Sequence, residues 1–173
     1  TVINADAMQV YRELRVLTAR PSDEDERRAP HRLYGHVPGG EAYSAARYAE
    51  EARDAISQVQ GAGRIPIIVG GTGLYFKALI EGLSPMPAIP EEIRARWRQA
   101  AADEGPAALH RILAERDPEM AARLRPSDPQ RLTRALEVLE ATGRSLAVWQ
   151  TLPGEPVVAV QDGHAIVVAP DRE

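Results

Sequence analysis

The chain has 173 residues, 44% of them hydrophobic and 27% charged, with a formal net charge of −4 and no cysteine. That length suits one domain, or a small domain with an insertion, and the composition is that of a folded chain with enough apolar residues for a packed core. The lack of cysteine excludes disulfides and thiolate metal sites and fits a reducing cytoplasm; no run of about 18 apolar residues and no signal-like opening is present, which predicts a cytoplasmic protein with no membrane partner.

The opening Val2-Ile3-Asn4-Ala5-Asp6 runs from apolar residues into a single carboxylate, the pattern of a buried strand that delivers an acid to its C-terminal edge. In open α/β sheets that edge is where ligands bind. Asp6, with the amide of Gln9 close by, suits orienting a nucleobase and taking its proton. The same spacing suits Asp6 equally as the N-cap of a helix starting near Ala7. Arg20 to Arg32, polar and charged between Pro21 and Pro30, reads as a mobile loop, and His31 sits where such a loop must cover any site.

Ser44 predicts an N-cap for a helix over about residues 45–60, with Tyr48, Ala52, Ile56 and Val59 at helical spacing and Gly61 and Gly63 ending it. Ile65-Pro66-Ile67-Ile68-Val69 has the pattern of a fully buried parallel strand. It passes directly into Gly70-Gly71-Thr72-Gly73 and a further helix, so the order strand, helix, strand, glycine loop, helix predicts an α/β core with a parallel sheet.

Pro85, Pro87 and Pro90 mark a junction, beyond which the chain turns helical. Ile93 and Trp97 share one face of the first helix there, Leu109, Ile112 and Leu113 mark a second, and Met120 and Leu124 a short third. Asp128 resembles an N-cap with Pro129 at the first helical position, Leu132, Leu136 and Leu139 form a buried stripe, and Gly143 stops that helix. Ser145 caps a last short helix through Trp149, and Val157 to Ala169 returns to strand character in two runs around Asp162-Gly163. The expected organisation is an α/β core over 1–85, a helical insertion over 86–155, and a return to the core over 156–173.

Two constellations carry chemistry. The Gly70-Gly71-Thr72-Gly73 loop, between strand and helix, exposes backbone N–H groups where phosphate or another anion binds, although such turns are also purely structural. It lacks the Lys-Ser/Thr pair of a Walker A loop. In the Asp128 helix, Gln130 and Arg134 point the same way with Arg131 to one side, a polar face that suits a bent RNA backbone and unpaired bases, or simply a solvated surface. The net charge argues against nucleic acid, but 20 of the 21 basic residues are arginine, the better residue for bidentate phosphate contacts, and Lys77 is the one lysine. His31, His36, His110 and His164 have no metal-ligand spacing, so no metal ligands are assigned.

Taken together, Asn4-Ala5-Asp6-Ala7-Met8-Gln9-Val10-Tyr11, Ala42-Tyr43-Ser44-Ala45-Ala46, Ile68-Val69-Gly70-Gly71-Thr72-Gly73-Leu74-Tyr75, Glu81-Gly82-Leu83-Ser84-Pro85 and Asp128-Pro129-Gln130-Arg131-Leu132 with Arg134-Ala135-Leu136-Glu137-Val138 and Thr142-Gly143 resemble the tRNA dimethylallyltransferase family. The resemblance implies a P-loop-NTPase-like parallel sheet with a helical insertion that grips the anticodon stem-loop. It implies a monomeric enzyme transferring a dimethylallyl group from its diphosphate to N6 of the adenosine beside the anticodon, with Mg²⁺ on the diphosphate. By the family's pattern Asp6 is the general base. Asp6, Ala7, Met8 and Gln9 on one side, and Gln130, Arg131, Leu132, Thr133 and Arg134 on the other, correspond to tRNA-contacting stretches, and Thr72 and Arg94 to further contact positions. The family pattern also has a Walker A loop before this Asp and a basic region after Glu173, so the chain reads as an interior portion, incomplete as a core and inactive alone. Ala7 replaces the more usual Ser, and Gly35 stands where Asp is common. The alternatives are an adenylate prenyltransferase of the cytokinin type, which needs no Arg-rich insertion, a P-loop kinase, and a non-catalytic RNA-binding fragment.

Overall fold

Three short strands align in parallel in the computed structural model, which describes residues 1–169. They are β1 (Val2–Asn4), β2 (His31–Arg32) and β3 (Ile67–Val69), in the order β2-β1-β3. In register, Ile3 stands opposite Arg32 on one side and Ile68 on the other. Ile3 and Ile68 therefore share a face, and there they pack against Ala55, Ile56 and Val59 of α2 (Ala45–Gly61). Ser44 caps α2 by accepting from Arg47 N–H at 3.2 Å, and Tyr48, Ala52, Ala55, Ile56 and Val59 are its buried face.

The other face of β3 is uncovered: Ile67 is 53% and Val69 48% exposed. The expectation of a fully buried strand is corrected. A continuous apolar run fixes strand character but not its place in the sheet, and here the strand is an edge with a helix on one side of it only.

The supposed loop over Arg20 to Arg32 is also corrected, because it contains α1 (Asp23–Arg28) and β2. α1 buries none of its residues, so it has no apolar periodicity to read. What forms it is a capping box: Ser22 Oγ accepts from Asp25 N–H at 3.2 Å while Asp25 Oδ2 accepts from Ser22 N–H at 3.0 Å. Asp23 to Glu26 in its first turn and Arg27 and Arg28 in its last complement the helix dipole. After β3, the chain enters α3 (Gly73–Ile80).

Residues 84–153 form a separate helical unit, and residues 1–83 with the segment from Gly154 form the sheet-bearing one. In the helical unit α4 (Glu91–Arg116) is two helices joined at Gly105, whose φ of 76° ends one just before Pro106 starts the next. α5 (Pro118–Arg123), α6 (Pro129–Thr142) and α7 (Leu146–Trp149) follow, around a core of Trp97, Leu109, Leu113, Met120, Leu132, Leu136 and Val138. Asp128 caps α6 by accepting from Arg131 N–H, Gly143 ends it at a φ of 67°, and Ser145 caps α7. Val138 is fully buried where Leu139 was expected; Leu139 is only half-buried.

No strand forms over 157–169. Val157 and Val158 both donate their N–H to Leu79 O, at 2.8 and 3.0 Å, and a single 3-10 turn spans Val160–Asp162. Ile166, Val167 and Val168 are almost fully exposed. Their residue types favour strand, but no open edge meets them, and pairing rather than propensity makes a strand. The rest of the expected return, residues 170–173, lies outside the described residues.

Candidate functional site

Asp6 stands just past the carboxyl end of the central strand, and its position is fixed by Asn4. The Asn4 side chain is wholly buried in an otherwise apolar strand. Its Oδ1 accepts from Asp6 N–H at 2.9 Å, and its Nδ2 donates to Asp6 O at 2.9 Å and Leu33 O at 3.1 Å. A buried amide satisfied in this way costs little and leaves one backbone path for the next residue. The Asp6 carboxylate then shapes the turn that follows: Oδ1 accepts from Met8 N–H at 2.8 Å and Gln9 N–H at 3.3 Å. The cap-like role read from spacing is present, over a turn rather than a helix. Asp6 Oδ2 has no hydrogen-bond partner among the described residues.

The glycine loop folds against this turn. Ala5 N–H donates to Val69 O at 2.7 Å, Thr72 N–H to Ala5 O at 3.1 Å, and Ala7 N–H to Thr72 Oγ1 at 2.9 Å. Thr72 precedes α3 but spends its acceptor on Ala7 instead of capping the helix. A Cβ on Gly70 would lie 2.2 Å from Ala5 C and O, whereas Cβ atoms on Gly71 and Gly73 would meet nothing within 4 Å. Gly70 is thus required by chain packing, and the backbone at Gly71 and Gly73 is open to a ligand. The Gln9 amide is partly committed, since Nε2 donates to Thr18 O at 2.8 Å and holds the 12–20 loop. Gly35 leaves room for the Arg20 guanidinium, which donates to Tyr11 O at 3.3 Å.

Burial first, then the Asp6 charge, raises the Tyr34 phenol above its ordinary range. Burial, then Tyr11 and Asp6, pushes Tyr75 up to about 12. An open cleft of about 650 Å³ lies beside the turn, lined by Gln9, Arg28, His31 and Tyr34 among others, but not by Asp6 itself. His31 packs edge-on against Tyr34 at 5.5 Å between ring centroids and lines that cleft.

In the helical unit Gln130 and Arg131 are exposed on α6. Arg131 Nε lies 3.4 Å from Asp128 Oδ2, and Arg134 Nη1 lies 3.4 Å from Oε2 of Glu137, an acid whose side chain is only 8% exposed. Thr133 is half-buried, and Leu132 is fully buried in the core, so of the Gln130–Arg134 stretch its side chain faces away from any partner. Arg94 on α4 keeps its Nε buried without a partner. The positioning part played by Asn4 has one signal in the sequence, a lone amide inside an apolar strand.

Among the described residues no group of three or more His, Cys, Asp or Glu side chains converges as a metal site requires. Mg²⁺ on a diphosphate is commonly held by one or two protein oxygens with phosphates and water, so that count bears only on an all-protein site. No helix among the described residues is long and apolar enough to cross a membrane.

A parallel sheet that brings one acid to its carboxyl edge beside a glycine loop, in a chain interrupted by an all-helical unit, defines an α/β protein with a helical insertion. The chain belongs to the IPP transferase family, whose sequence model matches residues 9–173. It is 54% identical over 171 residues to the tRNA dimethylallyltransferase of Chelativorans sp. strain BNC1 and 58% identical over 173 residues to that of Methylocella silvestris. Each comparison covers 99% of this chain, but the chain spans only 59% and 56% of those relatives. Among solved structures it is similar to a eukaryotic dimethylallyltransferase acting on tRNA, with a TM-score of 0.67 and 26% identity over 90% of this chain and 40% of the other.

Proposed function

We propose that the complete protein carrying this chain transfers a dimethylallyl group from dimethylallyl diphosphate to N6 of the adenosine beside the anticodon of tRNA, with Asp6 as general base. The observation that carries the role is the division of labour at Asp6. Oδ1 is held by the Met8 and Gln9 N–H groups, while Oδ2 is left for a substrate proton. The adenine N6 lone pair is delocalised into the ring, so the amine attacks poorly until a proton leaves. In the step, the N6–C1 bond to the dimethylallyl carbon forms, the C1–O bond to diphosphate breaks, and the N6 proton passes to Asp6. Base assistance of this kind contributes roughly 10²–10⁴-fold. The base must first leave the stack, at about a few kcal/mol, least in a single-stranded loop.

Thr72 and the Gly70 loop set the position of the turn, and the open backbone at Gly71 and Gly73 suits a phosphate oxygen. Gln130, Arg131, Arg134 and Arg94 supply the face for the tRNA backbone. The Mg²⁺ that the resemblance implies for the diphosphate finds no all-protein ligand set among the described residues, and no step is assigned to it. The names of the relatives and the tRNA-acting neighbour support this substrate. In the complete protein, Asp6→Asn keeps the Oδ1 acceptor and is expected to bind tRNA with unchanged affinity while prenyl transfer falls roughly 10²–10⁴-fold. Wild-type turnover by Asp6→Asn in a radiolabelled prenyl assay refutes the base role, and transfer to adenylate but not to tRNA refutes the acceptor.

A further inference from the structure

We infer that Glu51, on α2, is a positioning residue for Asp6; the inference rests on the proposed prenyl transfer. Glu51 gathers donors from its own helix and from the connection leading into it. Its Oε2 accepts from His36 Nε2 at 2.7 Å and from Tyr43 Oη at 2.7 Å, and its Oε1 accepts from Arg47 Nε at 2.8 Å. Arg47 also pairs with Glu41. Charged hydrogen bonds converging on a half-buried carboxylate hold one geometry far better than a single contact on the surface.

What Glu51 holds is the backing of the candidate site. His36 lies within residues 33–37, and that segment is bonded to Asn4 before the turn and to Gln9, Val10 and Arg12 after it. Leu33 O accepts from Asn4 Nδ2, the same amide that fixes Asp6 on both sides. Gly35 N–H donates to Gln9 O at 2.9 Å, Val37 N–H donates to Val10 O at 3.0 Å, and Val37 O accepts from Arg12 N–H at 2.9 Å. Tyr43, the second ligand of Glu51, sets its ring edge-on against Tyr75 at 6.5 Å and so ties Glu51 to the core beneath the turn. Glu51 thus reaches the acid through His36 and the backbone ladder. It makes no hydrogen bond to Asp6 among the described residues.

The test uses the complete protein in steady-state prenyl assays, backed by single-turnover rates for the chemical step, with Glu51→Gln made alone and in the Asp6→Asn background. The expected result is a loss of about 10-fold or more in kcat, with KM for tRNA changed by less than about 3-fold, because misplacing a catalytic group by a fraction of an ångström slows chemistry without weakening remote binding. That loss is expected to vanish when Asp6 is already Asn, the signature of two residues acting through one another. Loss of equal size in both backgrounds, or kcat within 2-fold of wild type, overturns the inference while leaving the proposed function intact. A wild-type protein that prenylates no tRNA overturns both. If Glu51→Gln does not fold, Tyr43→Phe removes a single hydrogen bond, and the same dependence on Asp6, or its absence, decides the question.

Discussion

Replacing Gly70 with alanine perturbs the tightest approach in the candidate site. The added Cβ would sit 2.2 Å from the carbonyl carbon and oxygen of Ala5, against 3.4–4 Å for ordinary contact. Both opposing atoms are backbone of the chain leaving the central strand, so no side chain can swing aside. The loop or the strand end has to move by about 1 Å, which puts the Val69–Ala5 and Ala5–Thr72 backbone hydrogen bonds at risk. Overpacking against well-packed backbone costs about 1–3 kcal/mol, and each strained hydrogen bond adds about 0.5–1.5 kcal/mol. A total of roughly 2–6 kcal/mol lowers Tm by about 4–24 °C, at about 2–4 °C per kcal/mol for a chain of this size. Gly71→Ala is the control, because its Cβ meets nothing within 4 Å. Thermal melts of the complete protein, read with prenyl transfer, separate the two. Gly70→Ala is expected to lose stability together with kcat, since Asp6 leaves the same strand end. Gly71→Ala is expected to keep its Tm within about 1–2 °C. Equal Tm values for the two variants refute the reasoning and return Gly70 to a ligand-facing role.

The arginines of α6 separate by what they touch. Arg131→Ala, at a side chain 75% exposed, is expected to weaken tRNA binding several-fold without lowering Tm and to reduce the salt dependence by about one phosphate contact, checked by isotherms across salt. Arg134→Ala is expected to weaken binding and also to lower stability by about 1–3 kcal/mol, because it strips the partner from the buried Glu137 carboxylate, checked by denaturant unfolding. An unchanged isotherm in the double variant removes α6 from the contact surface. At Glu51, burial favours the neutral acid, but hydrogen bonds from Tyr43, Arg47 and His36 outweigh it and hold the carboxyl below the usual range. A depressed folded value means the stabilisation is complete above the unfolded pKa of about 4.3 and is lost as pH falls through the folded one. Wild type is therefore expected to lose more stability than Glu51→Gln below about pH 4.3; parallel acid-unfolding curves refute it.

The order strand, helix, strand, glycine loop, helix was legible because each element carries its own local signal. Ser44, Asp128 and Ser145 cap where their residue type says they should, and Gly143 takes the left-handed conformation that stops α6. What failed was information the local sequence does not hold. Ile65 to Val69 reads the same whether a strand is central or at an edge, and only its pairing with β1 alone makes it an edge. The valines and isoleucine of 157–168 favour a strand, yet Val157 and Val158 give their N–H groups to Leu79 O. α1 hides from periodicity because it buries nothing, although Ser22 and Asp25 spelled its capping box. In the site, Asp6, Gln9 and the glycine loop were legible from order and resemblance. The Asn4 amide and the Glu51 cluster were not, because their partners lie 29 residues away at Leu33 and 15 away at His36.

Spacing alone presented Asp6 with two exclusive roles, a cap for the following residues or an acid for chemistry. Under the proposed function they are one role performed by two oxygens. Oδ1, tied to Met8 and Gln9 N–H, fixes the carboxylate in its plane. Once that plane is fixed, the direction of Oδ2 is fixed too, and a base whose direction is set in advance needs no reorganisation when the proton moves. The same logic runs outward. Asn4 fixes the backbone of Asp6, the 33–37 segment fixes the turn, and Glu51 fixes that segment through His36. The capping bonds are thus the innermost layer of the arrangement that aims the acid, and a substitution that spares Oδ1 while removing the acidic Oδ2 separates the two functions within a single side chain.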